Sequence, residues 1–136
     1  MVPSDSELAV LPARFIVTTH NQTLGRLGED AAARWYEENG YVVVDRNWHG
    51  DAGELDLVAV RFVRRRPQVA AFVEVKTRTS QRFGAGVLAV GHKKQERIRR
   101  LSGQWLSLQR ARIETVRFDI VDVDGRGHLQ VYEAAF

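Results

Sequence analysis

Apolar and polar positions alternate along the chain with two different periods, and the changes of period mark its elements. From about Asn21 to Asn39, Leu24, Leu27, Ala31 and Trp35 recur at helical spacing and predict one apolar stripe. Asn39-Gly40 is a natural helix stop, since glycine adopts the left-handed cap easily. The period then falls to two. Tyr41 to Asn47 is rich in β-branched residues and reads as a strand, and Gly50-Asp51-Ala52-Gly53 reads as a turn. Glu54 to Val60 is a second strand, with Glu54 and Asp56 on one face and Leu55, Leu57 and Ala59 on the other. Arg64-Arg65-Arg66-Pro67 is the expected hairpin tip before a third strand, Val69 to Thr77. The short connections predict an antiparallel meander.

A polar, glycine-containing loop from Arg78 to Gly86 precedes a second helix, Gly91 to Leu108, with Ile98, Leu101, Trp105 and Leu108 as its stripe. Ile113 to Val123 contains a fourth strand, Asp124 to Gly127 a turn, and His128 to Tyr132 a final strand. The order α-β-β-β-α-β(-β) predicts an α/β fold with a central mixed sheet flanked by helices. Residues 1–19 show no period and contain Pro3 and Pro12, so a loosely ordered N-terminal arm is expected there, followed by a single domain over 20–136.

Composition narrows the functional classes. No apolar run approaches the ~20 residues of a membrane helix. The first residues carry Asp5 and Glu7 and no basic region, unlike a signal peptide. The chain has no cysteine, which excludes disulfides, thiolate metal sites and cysteine nucleophiles and fits a cytoplasmic location. A net charge of +3 is modest, but its distribution is not even. Arg61, Arg64, Arg65 and Arg66 form one cluster, and Lys93, Lys94, Arg97, Arg99 and Arg100 another, with Arg110, Arg112 and Arg117 further on. Clusters of this kind suit a polyanion, nucleic acid above all.

The candidate chemistry lies in the middle strands. Phe72-Val73-Glu74-Val75-Lys76 puts a carboxylate and an ammonium on one strand face. Charges there must pair, bind something or reach water. Asp56 on the adjacent antiparallel strand brings a second carboxylate to ~4.5–5.5 Å at Cβ if the two face each other. Two such acids repel, and a divalent cation relieves the conflict. Magnesium, with its oxygen shell of one or two carboxylates, waters and substrate phosphate, fits that description, as does manganese. Lys76 is then placed to orient or deprotonate an attacking water, and Glu29, at the edge of the first helix stripe, is a further carboxylate. This is metal-assisted phosphodiester hydrolysis in outline.

Gly53-Glu54-Leu55-Asp56 followed by Glu74-Val75-Lys76-Thr77-Arg78 resembles the D…(D/E)xK pattern of restriction-endonuclease-like nucleases. With Gly25, Gly28-Glu29, Ala32, Asn47, Phe83-Gly84 and Arg117-Phe118-Asp119, the layout from Leu24 to Phe136 is similar to the small bacterial YraN-like family, itself similar to archaeal Holliday-junction resolvases. The resemblance implies a restriction-endonuclease-like core. It implies Asp56 and Glu74 as metal ligands, Lys76 as the catalytic lysine and Glu29 as the helix carboxylate of a Mg2+ (or Mn2+) site. Glu54, Thr77 and Arg78 are accessory candidates, Glu54 without an assigned role. The expected activity is that of an endonuclease acting on DNA, with branched or recombination intermediates among the candidate substrates. Arg64, Arg65, Arg66, Lys93, Lys94 and Arg97 would hold backbone phosphates. Cutting both strands of a symmetric junction calls for two sites and hence a homodimer.

A non-catalytic nucleic-acid-binding or assembly module on the same fold is the alternative. Other motifs are weaker. Asp122 to Gly127 half-matches a calcium loop, but Arg126 stands where an oxygen ligand belongs, so a hairpin turn is the better reading. His20, His49, His92 and His128 have no metal-pair spacing. Asp119 reads equally as a site residue or as a partner of Arg117. Trp35 and Trp105 belong to apolar stripes, whereas Trp48 is free to stack on a base.

Overall fold

The computed structural model describes residues 27–77 and 90–136. The predicted arm, the start of the first helix with Leu24 and Gly25, and the loop containing Arg78, Phe83 and Gly84 lie outside these residues. Within them the elements follow the predicted order: α1 (Leu27–Glu38), β1 (Val42–Gly50), β2 (Gly53–Val63), β3 (Arg66–Thr77), α2 (His92–Ser107), β4 (Thr115–Val123) and β5 (Leu129–Tyr132). The strands form one sheet in the order β1-β2-β3-β4-β5. β1 to β3 are the antiparallel meander, β4 runs parallel to β3 across the crossover through α2, and β5 returns antiparallel to β4. This is the mixed α/β layout of a nuclease-like core. No helix among the described residues is long and apolar enough to cross a membrane.

Each helix covers one sheet face. Tyr36, Ala32 and Ala33 of α1 pack on Val43, Leu57, Ala59, Ala71, Val73, Val121 and Val123. Ile98, Leu101 and Trp105 of α2 pack on Val44, Val58, Val60, Ala70 and Phe72, where the Trp105 and Phe72 rings meet edge to face at 5.6 Å. The central strands are buried on both sides, which is why Val58-Ala59-Val60 and Ala70-Ala71-Phe72 are continuous apolar runs.

The helix faces correct the sequence reading in two places. The buried row of α1 is Gly28, Ala32, Ala33 and Tyr36, whereas Leu27 is 79 % exposed. Small residues let the helix approach the sheet closely, and a Cβ at Gly28 would run into the Thr77 side chain at the end of β3. On α2, Leu108 falls past the last turn and is exposed. The predicted stop after α1 holds: Gly40 has φ +86° and Tyr41 N donates to Tyr36 O at 2.9 Å.

The distal part of β1–β2 departs from simple alternation. A register shift between Val43 and Asp45 turns Arg46 toward α1, where its guanidinium meets Asp30 at 2.5 Å. Asn47 then adopts φ 50°, a left-handed conformation that asparagine tolerates better than most residues. The position opposite Asn47 is Asp56, between the pairs Arg46–Leu57 and Trp48–Leu55. Beyond it the two-stranded arm curls onto α2. Leu55 and Trp48 therefore join the α2 core rather than the face of Leu57 and Ala59, a correction to the predicted sharing of one face. Trp48 is thereby half-buried against protein instead of standing free. Asp51 N donates to Gln104 Oε1 at 3.0 Å, and Arg100 pairs with Asp51 at 2.6 Å.

Candidate active site

The site is built where β2 leaves β3. Their ladder runs from Val63–Arg66 to Leu57–Val73 and ends there. At the next step Asp56 turns its side chain into the gap, and Oδ2 accepts the Val75 N–H at 2.8 Å. A side-chain carboxylate thus replaces the missing strand partner and holds the split open. Glu74, on the same strand end of β3, carries Lys94 Nζ on its Oε1 at 2.5 Å, with the glutamate side chain only 15 % exposed. Lys76 follows on the Glu74 face and is half-buried. Glu29 sits in the first turn of α1 on the row of buried Ala32 and Tyr36, a stronger inward placement than a stripe edge. Gly28 against Thr77 and Asp30 on Arg46 fix that turn over the same sheet end.

The electrostatics follow from this crowding. Burial pushes the Asp56 carboxyl up to about 7, and the negative charges of Glu74 and, to a smaller extent, Glu29 push the same way. The Val75 N–H and the Lys94 ammonium oppose the shift without cancelling it. Asp56 therefore sits in an acidic corner with Glu74 and Glu29, and both raise its pKa.

The donor chemistry suits a hard divalent ion. Among the described residues no three His, Cys, Asp or Glu side chains converge as a ready-made cage. One or two carboxylates, completed by waters and a phosphate oxygen, are a magnesium-type donor set. Asp56 and Glu74 fit as the holding pair.

Several expected site residues sit elsewhere or have other partners. Glu54 is exposed and meets His49 Nε2 at 2.9 Å across the β1–β2 arm, so it turns away from the corner it was expected to share with Asp56. Lys94, read as a phosphate contact, is spent on Glu74; the missing signal is a pairing across the βαβ crossover, invisible in local spacing. Lys93 and Arg97 remain exposed on α2, with Arg97 beside Gly53. Arg64, Arg65 and Arg66 lie at the far end of β2 and β3, and the two basic clusters do not converge on one spot. Thr77 ends β3 beside Gly28 and lines a groove of about 540 Å³ with Val123, Asp124 and Arg126.

Asp119 is structural. It is fully buried and accepts Tyr36 OH at 2.7 Å, Arg117 Nε and Nη2 at 2.8 Å each, and Ala134 N at 3.0 Å. Burial and then the Asp119 charge raise the Tyr36 phenol far above its ordinary value, while the Asp119 hydrogen bond raises Arg117. Asp124 is a turn residue: its Oδ1 accepts Arg126 N at 2.8 Å and His128 N at 2.9 Å, as the hairpin reading required.

The model of the uncharacterised protein family UPF0102 matches residues 28–123, which span the helix carboxylate, the corner and β4. The chain belongs to the UPF0102 family. A UPF0102 protein of Nocardia farcinica is 46 % identical over 102 residues, covering 75 % of this chain and 76 % of the relative. UPF0102 proteins of Rhodococcus opacus (42 % over 104 residues; 76 % and 84 %) and Mycolicibacterium gilvum (47 % over 100 residues; 74 % and 79 %) are similarly close. The YraN-like resemblance read from the motifs is this family. As a UPF0102 member the chain gains relatives, and the proposal for its chemistry rests on the corner itself.

Proposed function

We propose that this UPF0102 protein is a metal-dependent nuclease that hydrolyses phosphodiester bonds in DNA at the Asp56–Glu74 corner. The observation that carries the reading is the position of Asp56: a carboxylate held in the split between β2 and β3, its pKa raised to about 7 by burial and neighbouring acids. A structural acid is normally met by several donors, whereas Asp56 has one backbone donor and two neighbouring acids. A divalent ion bound there supplies charge neutralisation of the phosphate and a more acidic water.

The chain's own groups have separate tasks. Asp56 and Glu74 hold the ion, and the Val75 N–H fixes the Asp56 rotamer by taking Oδ2. Lys94 orients Glu74 through its ion pair. Lys76 faces the same side and moves the proton of the attacking water or balances charge on the phosphate. Glu29 would serve as a further carboxylate beside the holding pair, close enough to Asp56 to raise its pKa. Exposed Lys93 and Arg97 on α2 attract the phosphate backbone next to the corner.

The test is a cleavage panel with single-stranded, duplex, flapped and four-way-junction DNA and an RNA control, each with Mg2+, Mn2+ or EDTA. Metal-dependent cutting that Asp56→Asn and Lys76→Ala abolish is the expected result, and the preferred substrate then identifies the class of intermediate. Binding that survives EDTA, with no cutting under any metal, would replace the enzyme by a binding module.

A further inference from the structure

The end of the sheet opposite the corner carries a feature that folding alone does not favour. β2 and β3 join through Arg64 and Arg65, with φ 52° and 66°. A two-residue hairpin with both central residues left-handed ordinarily takes Asn-Gly. A side chain with a Cβ is disfavoured there by about 1 kcal/mol or more. Two consecutive arginines are thus a costly choice for the turn. Arg66 follows, and all three are exposed.

Two more arginines come to the same end. The segment after α2 returns beside the hairpin, where Glu114 N donates to Pro67 O at 3.5 Å and Thr115 pairs with Val69. Arg110 and Arg112 in that segment are exposed. Among the described residues none of these five arginines makes an ion pair, whereas Arg46, Lys94, Arg100 and Arg117 each do. Arg64 and Arg66 line a groove of about 510 Å³ whose lining holds one acid, Glu114. Exposed guanidinium groups that outnumber the carboxylates beside them match phosphate oxygens, which they bind in pairs of hydrogen bonds.

We propose that the β2–β3 hairpin, with Arg110 and Arg112, is a second contact for a nucleic-acid phosphate backbone, gripping duplex away from the point of cleavage. At ~3.3 Å per residue, Asp56 and Arg64 are roughly 26 Å apart along β2, or roughly eight base pairs of duplex at 3.4 Å. The substrate is therefore a nucleic acid with a duplex arm of at least about that length beside the cut, not a short oligonucleotide. This rests on the nuclease reading of the corner and adds where the rest of the substrate lies.

The experiment uses the full chain in EDTA, with fluorescence anisotropy on a 30-base-pair duplex and on a short hairpin stem of about four base pairs, too short to reach the arginines from the corner, from 50 to 200 mM salt. Wild type is compared with the double variant Arg64→Asn/Arg65→Gly and with Arg110→Gln/Arg112→Gln. The Asn-Gly variant is expected to melt at a higher temperature than wild type, because its turn is relaxed. The same variant should bind the long duplex about tenfold more weakly, with a log–log salt slope smaller by about 2, and bind the short stem as wild type does. A rise in stability with a loss of binding is a combination that a merely structural turn cannot give. Unchanged affinity and slope in both variants, with wild type still cutting, would overturn this proposal and leave the corner intact. A wild type that neither binds nor cuts any nucleic acid would overturn both. Loss of binding to anionic phospholipid vesicles, but not to duplex, would assign the arginines to a membrane surface and overturn the proposal as well.

Discussion

Asp119 and Asp56 are both aspartates on adjacent parts of one sheet, and they live in opposite environments. Asp119 is fully buried and surrounded by donors: a phenol, a guanidinium with two contacts and a backbone N–H. Every oxygen is satisfied, and the three elements that supply the donors are thereby tied together. Asp56 has one backbone donor, on Oδ2, and two acids close enough to raise its pKa. A protein can bury a carboxylate for stability only by meeting its hydrogen-bonding needs. One that is crowded by like charge instead is held ready for a ligand that brings positive charge. The contrast separates framework from chemistry without reference to sequence motifs.

The largest expected effect comes from removing the charge of the crowded acid. Asp56→Asn keeps an oxygen for the Val75 N–H and should lower cleavage on the order of 10³-fold at saturating Mg2+, with Lys76→Ala falling ~10²–10⁴-fold. Far-ultraviolet circular dichroism of both should match wild type. Truncation of the satisfied acid should instead act on folding. Asp119→Ala leaves Arg117 half-buried beside Tyr36 and should cost about 3–5 kcal/mol in urea unfolding. Cutting per folded molecule should stay within a few-fold. A loss of activity without a loss of stability at Asp119 would break the contrast.

The pH dependence of stability sharpens it. The folded Asp56 carboxyl titrates near 7, above its unfolded value near 4. The folded state thus binds a proton more tightly than the unfolded state between these values. Asp56's contribution is fully present below pH ~4 and is lost as pH rises through about 7. In EDTA, Asp56→Asn should therefore melt above wild type at pH 8, by roughly 1–3 kcal/mol, and the gap should close near pH 4. Adding Mg2+ at pH 8 should raise the wild-type melting temperature and leave the variant unmoved. A smaller effect is expected at the swivel opposite Asp56. Asn47→Val places a β-branched residue at φ 50° and should cost about 1–2 kcal/mol, with Asn47→Gly close to neutral. Thermal melts of the pair would settle whether the curl of the β1–β2 arm depends on that residue.

Much of this architecture is legible in the sequence, because each strand and helix of the described residues carries its own period and its own stop. Asp56, Glu74 and Lys76 are likewise visible as charges at fixed spacing inside apolar strands. The face of α1 is not, because Leu27 and Trp35 are larger and more apolar than the Gly28, Ala32 and Ala33 that the sheet accepts. Close approach selects small residues, and periodicity weighs hydrophobicity instead. The Lys94–Glu74 pair and the Tyr36–Asp119 bond join residues far apart in the chain, and no local pattern encodes either. The turn of Glu54 toward His49 lies on the arm beyond one left-handed asparagine, a conformation that composition does not announce.

Binding of Mn2+ at pH 7.5, followed by electron paramagnetic resonance in wild type, Asp56→Asn and Tyr36→Phe, tests the contrast most directly and requires no knowledge of the substrate. Wild type and Tyr36→Phe, which alters only the satisfied acid, should bind the ion alike, and Asp56→Asn should bind at least about tenfold more weakly. Equal binding by Asp56→Asn, or no binding by wild type, would contradict the assignment of the crowded corner as a metal site.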